Sequence, residues 1–132
     1  LPDSMASAVV PVWISLPVAC LVGAILHGND LRDMAGDSRA GIRTSSLLIG
    51  PRGGRWLFVA LHTLPYLLLA GCAVTQRLPL WTLLPLLALP LSVAVARDCL
   101  RGETHSLEGR SAGIHFLFGV LLTLGLILAH VF

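Results

Sequence analysis

The stretch GNDLRDMAGDSRAGIRT, residues 28–44, gathers Asp30, Asp33 and Asp37 with Arg32, Arg39 and Arg43. Its surroundings are apolar. Of 132 residues, 55% are hydrophobic and only 12% are charged. Mean hydropathy is +0.83. Soluble domains carry roughly a quarter charged residues, so the composition predicts a membrane protein with its polar chemistry concentrated here. A net charge of +2 gives no basis for a nucleic-acid partner. Every cation is arginine. The planar guanidinium fork suits phosphate and carboxylate, although a GC-rich genome produces the same bias.

A bilayer core takes about 20 apolar residues of helix. Four stretches meet that length: Met5 to Leu26, Trp56 to Thr75, Leu78 to Ala96 and Ser111 to Phe132. The expected fold is therefore all-α and integral to the membrane. Its four transmembrane helices are expected at about 5–28, 56–75, 78–97 and 111–132, with a polar loop over about 29–54. Pro11, Pro17, Pro65, Pro85 and Pro90 fall inside these helices. Neighbouring helices in a bundle can re-satisfy the freed carbonyls, so kinks are expected rather than breaks. Gly50–Gly54 lacks the lysine and hydroxyl of a phosphate-cradling loop and reads as a helix break. Eight of the nine arginines fall in the first and third connections, and Arg77 alone in the second. Four crossings put the first and third connections on one side, which the positive-inside rule makes cytoplasmic. Trp56 and Trp81 stand at helix ends as interfacial anchors. Cys20, Cys72 and Cys99 show no metal-ligand spacing and read as packing residues.

If the first helix continues into the acidic stretch, 100° per residue places Asn29, Asp30, Asp33 and Asp37 within about 100° of arc. Arg32 and Arg39 fall near the opposite face. Clustered carboxylates repel by on the order of 1–4 kcal/mol per pair, and a divalent cation would offset that. Oxygen-only ligands suit magnesium or calcium. Magnesium uses one or two carboxylates and fills its shell with water and substrate phosphate. The same spacing also fits a solvated juxtamembrane helix carrying ion pairs and no ligand.

The pattern Asn29-x3-Asp33-x3-Asp37, within NDLRDMAGDSRAGIRT, resembles the second Asp-rich motif of the UbiA-type intramembrane aromatic prenyltransferases. Within that superfamily it looks most like the 1,4-dihydroxy-2-naphthoate polyprenyltransferase branch of menaquinone biosynthesis. The tail AGIHFLFGVLLTLGLIL, residues 112–128, looks like that branch's last helix. The resemblance implies a bundle of about nine helices, of which residues 1–132 supply the last four. The first Asp-rich motif would lie elsewhere, so the chain is expected to be a C-terminal portion, inactive alone. It also implies Mg2+-dependent transfer of a polyprenyl group from polyprenyl diphosphate to an aromatic acceptor, in a bacterial or archaeal cytoplasmic membrane. Asn29, Asp33 and Asp37 carry over as catalytic metal ligands. Arg43 and Arg39 carry over as diphosphate contacts, and Arg32 is expected to face away from the metal.

Three further residues are candidates for the acceptor or the cavity: His27, Asp30 and His115. Each also reads as structural. His62 and His130 read as core or interface, Asp98 as a solvated helix end or a gate, and Glu103 and Glu108 as loop surface. Alternative functions are prenyl transfer to 4-hydroxybenzoate, homogentisate, porphyrin or a lipid. A CDP-alcohol phosphotransferase would need an upstream D-G-x2-A-R that is not in this sequence. A non-enzymatic cation-binding bundle or transporter fragment is the remaining class.

Overall fold

The computed structural model describes residues 3–131. Four helices run up and down: α1 (Asp3–Ala40), α2 (Ser45–Val74), α3 (Leu89–Arg101) and α4 (Leu107–Val131). A 3₁₀ segment, Leu80–Ala88, leads into α3. Together with that segment they provide four helical spans long and apolar enough to cross a membrane. The expected end of the fourth helix, Phe132, lies outside the described residues.

The main departure from expectation is the first loop. The polar stretch assigned to about 29–54 is almost wholly helical. α1 continues without a break through all three aspartates to Ala40, and only residues 41–44 connect it to α2. Backbone hydrogen bonding is satisfied within the helix whatever the side chains are, so polarity alone did not end it. Gly41 ends it. With φ of 71° it takes the left-handed conformation, and Ile42 N–H reaches back to the Asp37 carbonyl at 2.9 Å. This is the glycine-terminated 6→1 closure of a helix end.

α2 likewise starts earlier than Trp56. Thr44 caps it by accepting from Leu47 N–H. Gly50, at φ 75° and ψ 167°, interrupts the helix just before Pro51, which is the break read from Gly50–Gly54. The third span opens as a 3₁₀ helix with Pro79 at its N-cap and Pro85 inside it, and Pro90 follows in the first turn of α3; each lacks an N–H donor. α4 begins at Leu107, four residues ahead of expectation.

α1 packs on α2 and α4, α4 packs on the 3₁₀ segment, and α3 fits between α2 and α4. Leu21, Phe58, Leu69, Val95, Leu107 and Phe118 fill the shared core. Tyr66 meets Phe118 edge-on at 5.6 Å between ring centres. A buried polar knot ties three spans. His62 Nε2 lies 2.9 Å from Ser111 Oγ on α4 and His62 Nδ1 lies 3.4 Å from Ser92 Oγ on α3. Tyr66 Oη is 2.7 Å from the same Ser92 oxygen. Hydrogen bonds between side chains glue helices where lipid supplies no hydrophobic drive. Outward, Val12, Leu26, Leu67, Leu87, Phe116 and Ile127 are exposed, as a lipid-facing surface requires. At the end opposite the acidic motif, the Arg77 guanidinium sits 5.2 Å over the Trp13 ring.

Gly125 allows α4 to touch the 3₁₀ segment. A Cβ there would collide with the Trp81 carbonyl and the backbone beside it, which cannot rotate away. Gly125→Ala is therefore expected to destabilise the bundle by about 1–3 kcal/mol, read as a lowered melting temperature in detergent. Gly113→Ala, whose Cβ would meet nothing within 4 Å, should leave it unchanged.

Candidate active site

α1 is about 57 Å long at 1.5 Å per residue, and a hydrocarbon core is about 30 Å thick. With the charge-free run in lipid, residues 29–40 project beyond it. Asn29, Asp33 and Asp37 follow one another at four-residue intervals along this projection, each half-buried.

Arg32 organises the first two. Its Nε donates to Asp33 Oδ1 and its Nη2 to Asp33 Oδ2, both at 2.9 Å. Nη2 also donates to the Asn29 side-chain oxygen, and Nη1 reaches Glu108 Oε1 of α4 at 2.5 Å. The expectation that Arg32 faces away is thus corrected. A helical wheel fixes Cβ directions only, and a long side chain spans the gap to its neighbours at i−3 and i+1. Glu108 is corrected too. It was read as loop surface, but α4 begins early enough to put it in the first helical turn, facing α1. The signal available in the sequence was Leu107 beside it, an apolar residue that is fully buried. The Arg32 guanidinium holds the Asp33 carboxyl below its ordinary range, against the opposing effect of desolvation.

His27 does not line an open cavity. It is 4% exposed, pinned between α1 and α2. Its Nε2 donates to the Gly54 carbonyl at 2.8 Å. Gly54 permits this approach, since a Cβ there would come within 2.8 Å of Leu31 Cδ2. His27 Nδ1 lies 3.2 Å from Ser45 Oγ, and that hydroxyl donates to Asp30 Oδ2 at 3.1 Å. Asp30 therefore braces α2 through Ser45, a residue not singled out from sequence. Arg39 donates to its own helix at Ala35 O, 3.0 Å. Arg43 is exposed on the connection after α1. Neither arginine touches the aspartates.

His115 lies two turns along α4 from Glu108, on the same face by helical spacing. It heads an open groove of about 540 Å³ with Phe116, Gly119, Val120, Thr123, Leu124 and Ile127. Its Nδ1 is buried with no hydrogen-bond partner among the described residues. Asp98, at the end of α3, accepts from Arg110 Nη1 at 2.7 Å, so it clasps α3 to α4.

Among the described residues no three His, Cys, Asp or Glu side chains converge to hold a metal by themselves. Hard oxygen donors are nonetheless what magnesium takes, and it needs only one or two carboxylates when water and substrate phosphate complete its shell. Asn29, Asp33 and Asp37 fit that donor set, with Arg32 sharing Asp33.

The profile of the UbiA prenyltransferase family matches residues 4–120. The chain belongs to this family. Among its relatives is UbiA prenyltransferase domain-containing protein 1 of Homo sapiens, 36% identical over 92% of this chain and 36% of the relative. The Gallus gallus protein of the same name is 34% identical over the same shares. The Drosophila melanogaster homolog is 34% identical over 88% of this chain and 32% of its own length. The chain thus spans about a third of the curated relatives it matches. No solved structure matches. Two expectations change. The relatives are of the UbiA prenyltransferase domain-containing protein 1 type rather than the dihydroxynaphthoate branch. They are also animal proteins, which leaves an integral membrane location without support for a prokaryotic one.

If Arg32 ties the UbiA motif to α4 through Glu108, the two residues are coupled. In a thermal-denaturation cycle, Arg32→Ala with Glu108→Ala should lower the melting temperature by less than the two single losses added. Strict additivity would show that the tie carries no stability.

Proposed function

We propose that the protein transfers a polyprenyl group from polyprenyl diphosphate to a hydroxylated aromatic ring, with Mg2+ held by Asn29, Asp33 and Asp37. Family membership across residues 4–120 carries the reaction class. The row of oxygen donors on the projecting end of α1 supports the metal. Acceptors to assay are 1,4-dihydroxy-2-naphthoate, 4-hydroxybenzoate and homogentisate. The excess of arginine at this end supports a cytoplasmic side for it under the positive-inside rule.

Bound magnesium supplies Lewis-acid stabilisation of the departing diphosphate. The chain's own residues do the rest. Arg43, on the turn after Asp37 and without a carboxylate partner among the described residues, takes diphosphate oxygens; Arg39 can leave Ala35 O to join it. Arg32 holds Asp33 and Asn29 in place through its grip on Glu108. The groove along α4 takes the prenyl chain, leading it from the motif into the bilayer past His115. As the prenyl C1–O bond breaks, its electron pair leaves with diphosphate. A ring carbon bonds to C1, and the ring loses a proton.

In the full-length protein, Asp33→Asn and Asp37→Asn should each lower kcat by at least about 100-fold, and magnesium chelation should abolish turnover. Wild-type rates in either variant would remove these residues from the metal. A separate assay addresses the groove. Thr123→Trp should shift preference toward shorter prenyl donors, and an unchanged chain-length profile would place the tail elsewhere.

A further inference from the structure

A second basic site lies on α2, away from the aspartate motif. Arg52, Arg55 and Trp56, with Pro51 and Leu100 of α3, enclose a depression of about 340 Å³. At 100° per residue, Arg55, Arg52 and Trp56 stand about 100° to 200° around the helix from Gly54, whose carbonyl faces His27 and α1. The depression and the motif therefore open on different sides of the bundle.

Its two cations, like Arg39 and Arg43, differ from the carboxylate-paired arginines at this end. Arg32, Arg101 and Arg110 each pair with a carboxylate. Arg52 and Arg55 have no carboxylate partner among the described residues. Arg55 is nevertheless held in place. Its guanidinium lies over Gly102, the left-handed cap of α3 at φ 93°, where a Cβ would stand 3.3 Å from Nη2. That end of α3 carries the negative pole of the helix, which orients the cation without neutralising it. Arg52 is exposed beside it, and Trp56 is 59% exposed. Trp56 also begins the apolar run of α2, so the two forks stand at head-group level above an apolar wall of Trp56 and Leu100.

We propose that this depression binds the phosphate of an anionic phospholipid, with both guanidinium groups on the phosphate oxygens and the acyl chain along Trp56 and Leu100. Guanidinium forks match phosphate geometry. Basic pockets at helix ends draw anionic head groups from the adjoining leaflet. Soluble diphosphate shares the phosphate chemistry but has no use for the apolar wall.

The test is native mass spectrometry of the full-length protein, released from nanodiscs of equal phosphatidylglycerol and phosphatidylcholine. Wild type should retain phosphatidylglycerol preferentially. Arg52→Gln, an exposed residue with no carboxylate partner to lose among the described residues, should lower that preference about fivefold, and Arg52→Gln/Arg55→Gln should abolish it. Arg77→Gln, at the other end of the bundle, should leave it intact. Millimolar inorganic diphosphate should not displace the lipid. The proposal fails if wild type shows no preference, if Arg52→Gln retains it in full, or if diphosphate empties the site. None of these outcomes depends on prenyl transfer.

Discussion

Arg32 lies between negative charges on two helices, and the projecting end of α1 depends on it. Beyond the bilayer, α1 loses the lateral packing that lipid-embedded turns enjoy, while its side chains become mutually repulsive carboxylates. One guanidinium answers both problems. It neutralises Asp33 within α1 and binds Glu108 across to α4. The other bracing runs through α2, where His27 meets the Gly54 carbonyl and Ser45 meets Asp30. Three helices thus converge on the motif from different directions.

The spans themselves were legible because hydropathy over 20 residues is a physical demand of the bilayer, independent of how helices pack. The oxygen-donor row was legible because four-residue spacing has one geometric meaning on a helix. What escaped was set by side-chain reach and by boundaries. A wheel put Arg32 on the far face, yet its length lets it fold back on Asp33. Polarity suggested a loop over 29–54, yet helical hydrogen bonds do not require apolar side chains, and the stop came only at Gly41. Glu108 was misread for the same reason in reverse: a helix assumed to start at Ser111 leaves it in the connection. The branch assignment failed differently. The likeness rested on the short pattern Asn29-x3-Asp33-x3-Asp37, and so short a pattern pointed to the family without separating its branches.

The polar knot of His62, Ser92, Ser111 and Tyr66 extends the same logic into the membrane. Its partners lie on α2, α3 and α4, while the Arg32 and His27 contacts join α1 to α4 and α2. The two sets are complementary: one fixes the three later spans in register, the other seats the long first helix against them. The placement of Glu108 against α1 follows from that register. A slip of one residue along α4 would turn its face by 100° and carry Glu108 away from Arg32.

That register sets a distance as well as a direction. From Glu108 to Ile127 the axis of α4 runs about 28 Å, close to the thickness of the hydrocarbon core. On the proposed reading, a donor whose diphosphate sits at the motif therefore has an apolar track beside it through most of the bilayer. The head group meets the charged turns only where α1 has left the lipid. The separation of polar chemistry from apolar tail then needs no enclosed pocket in this part of the protein. The boundary between membrane and water supplies it, and α1 crosses that boundary as an unbroken helix that carries the aspartates.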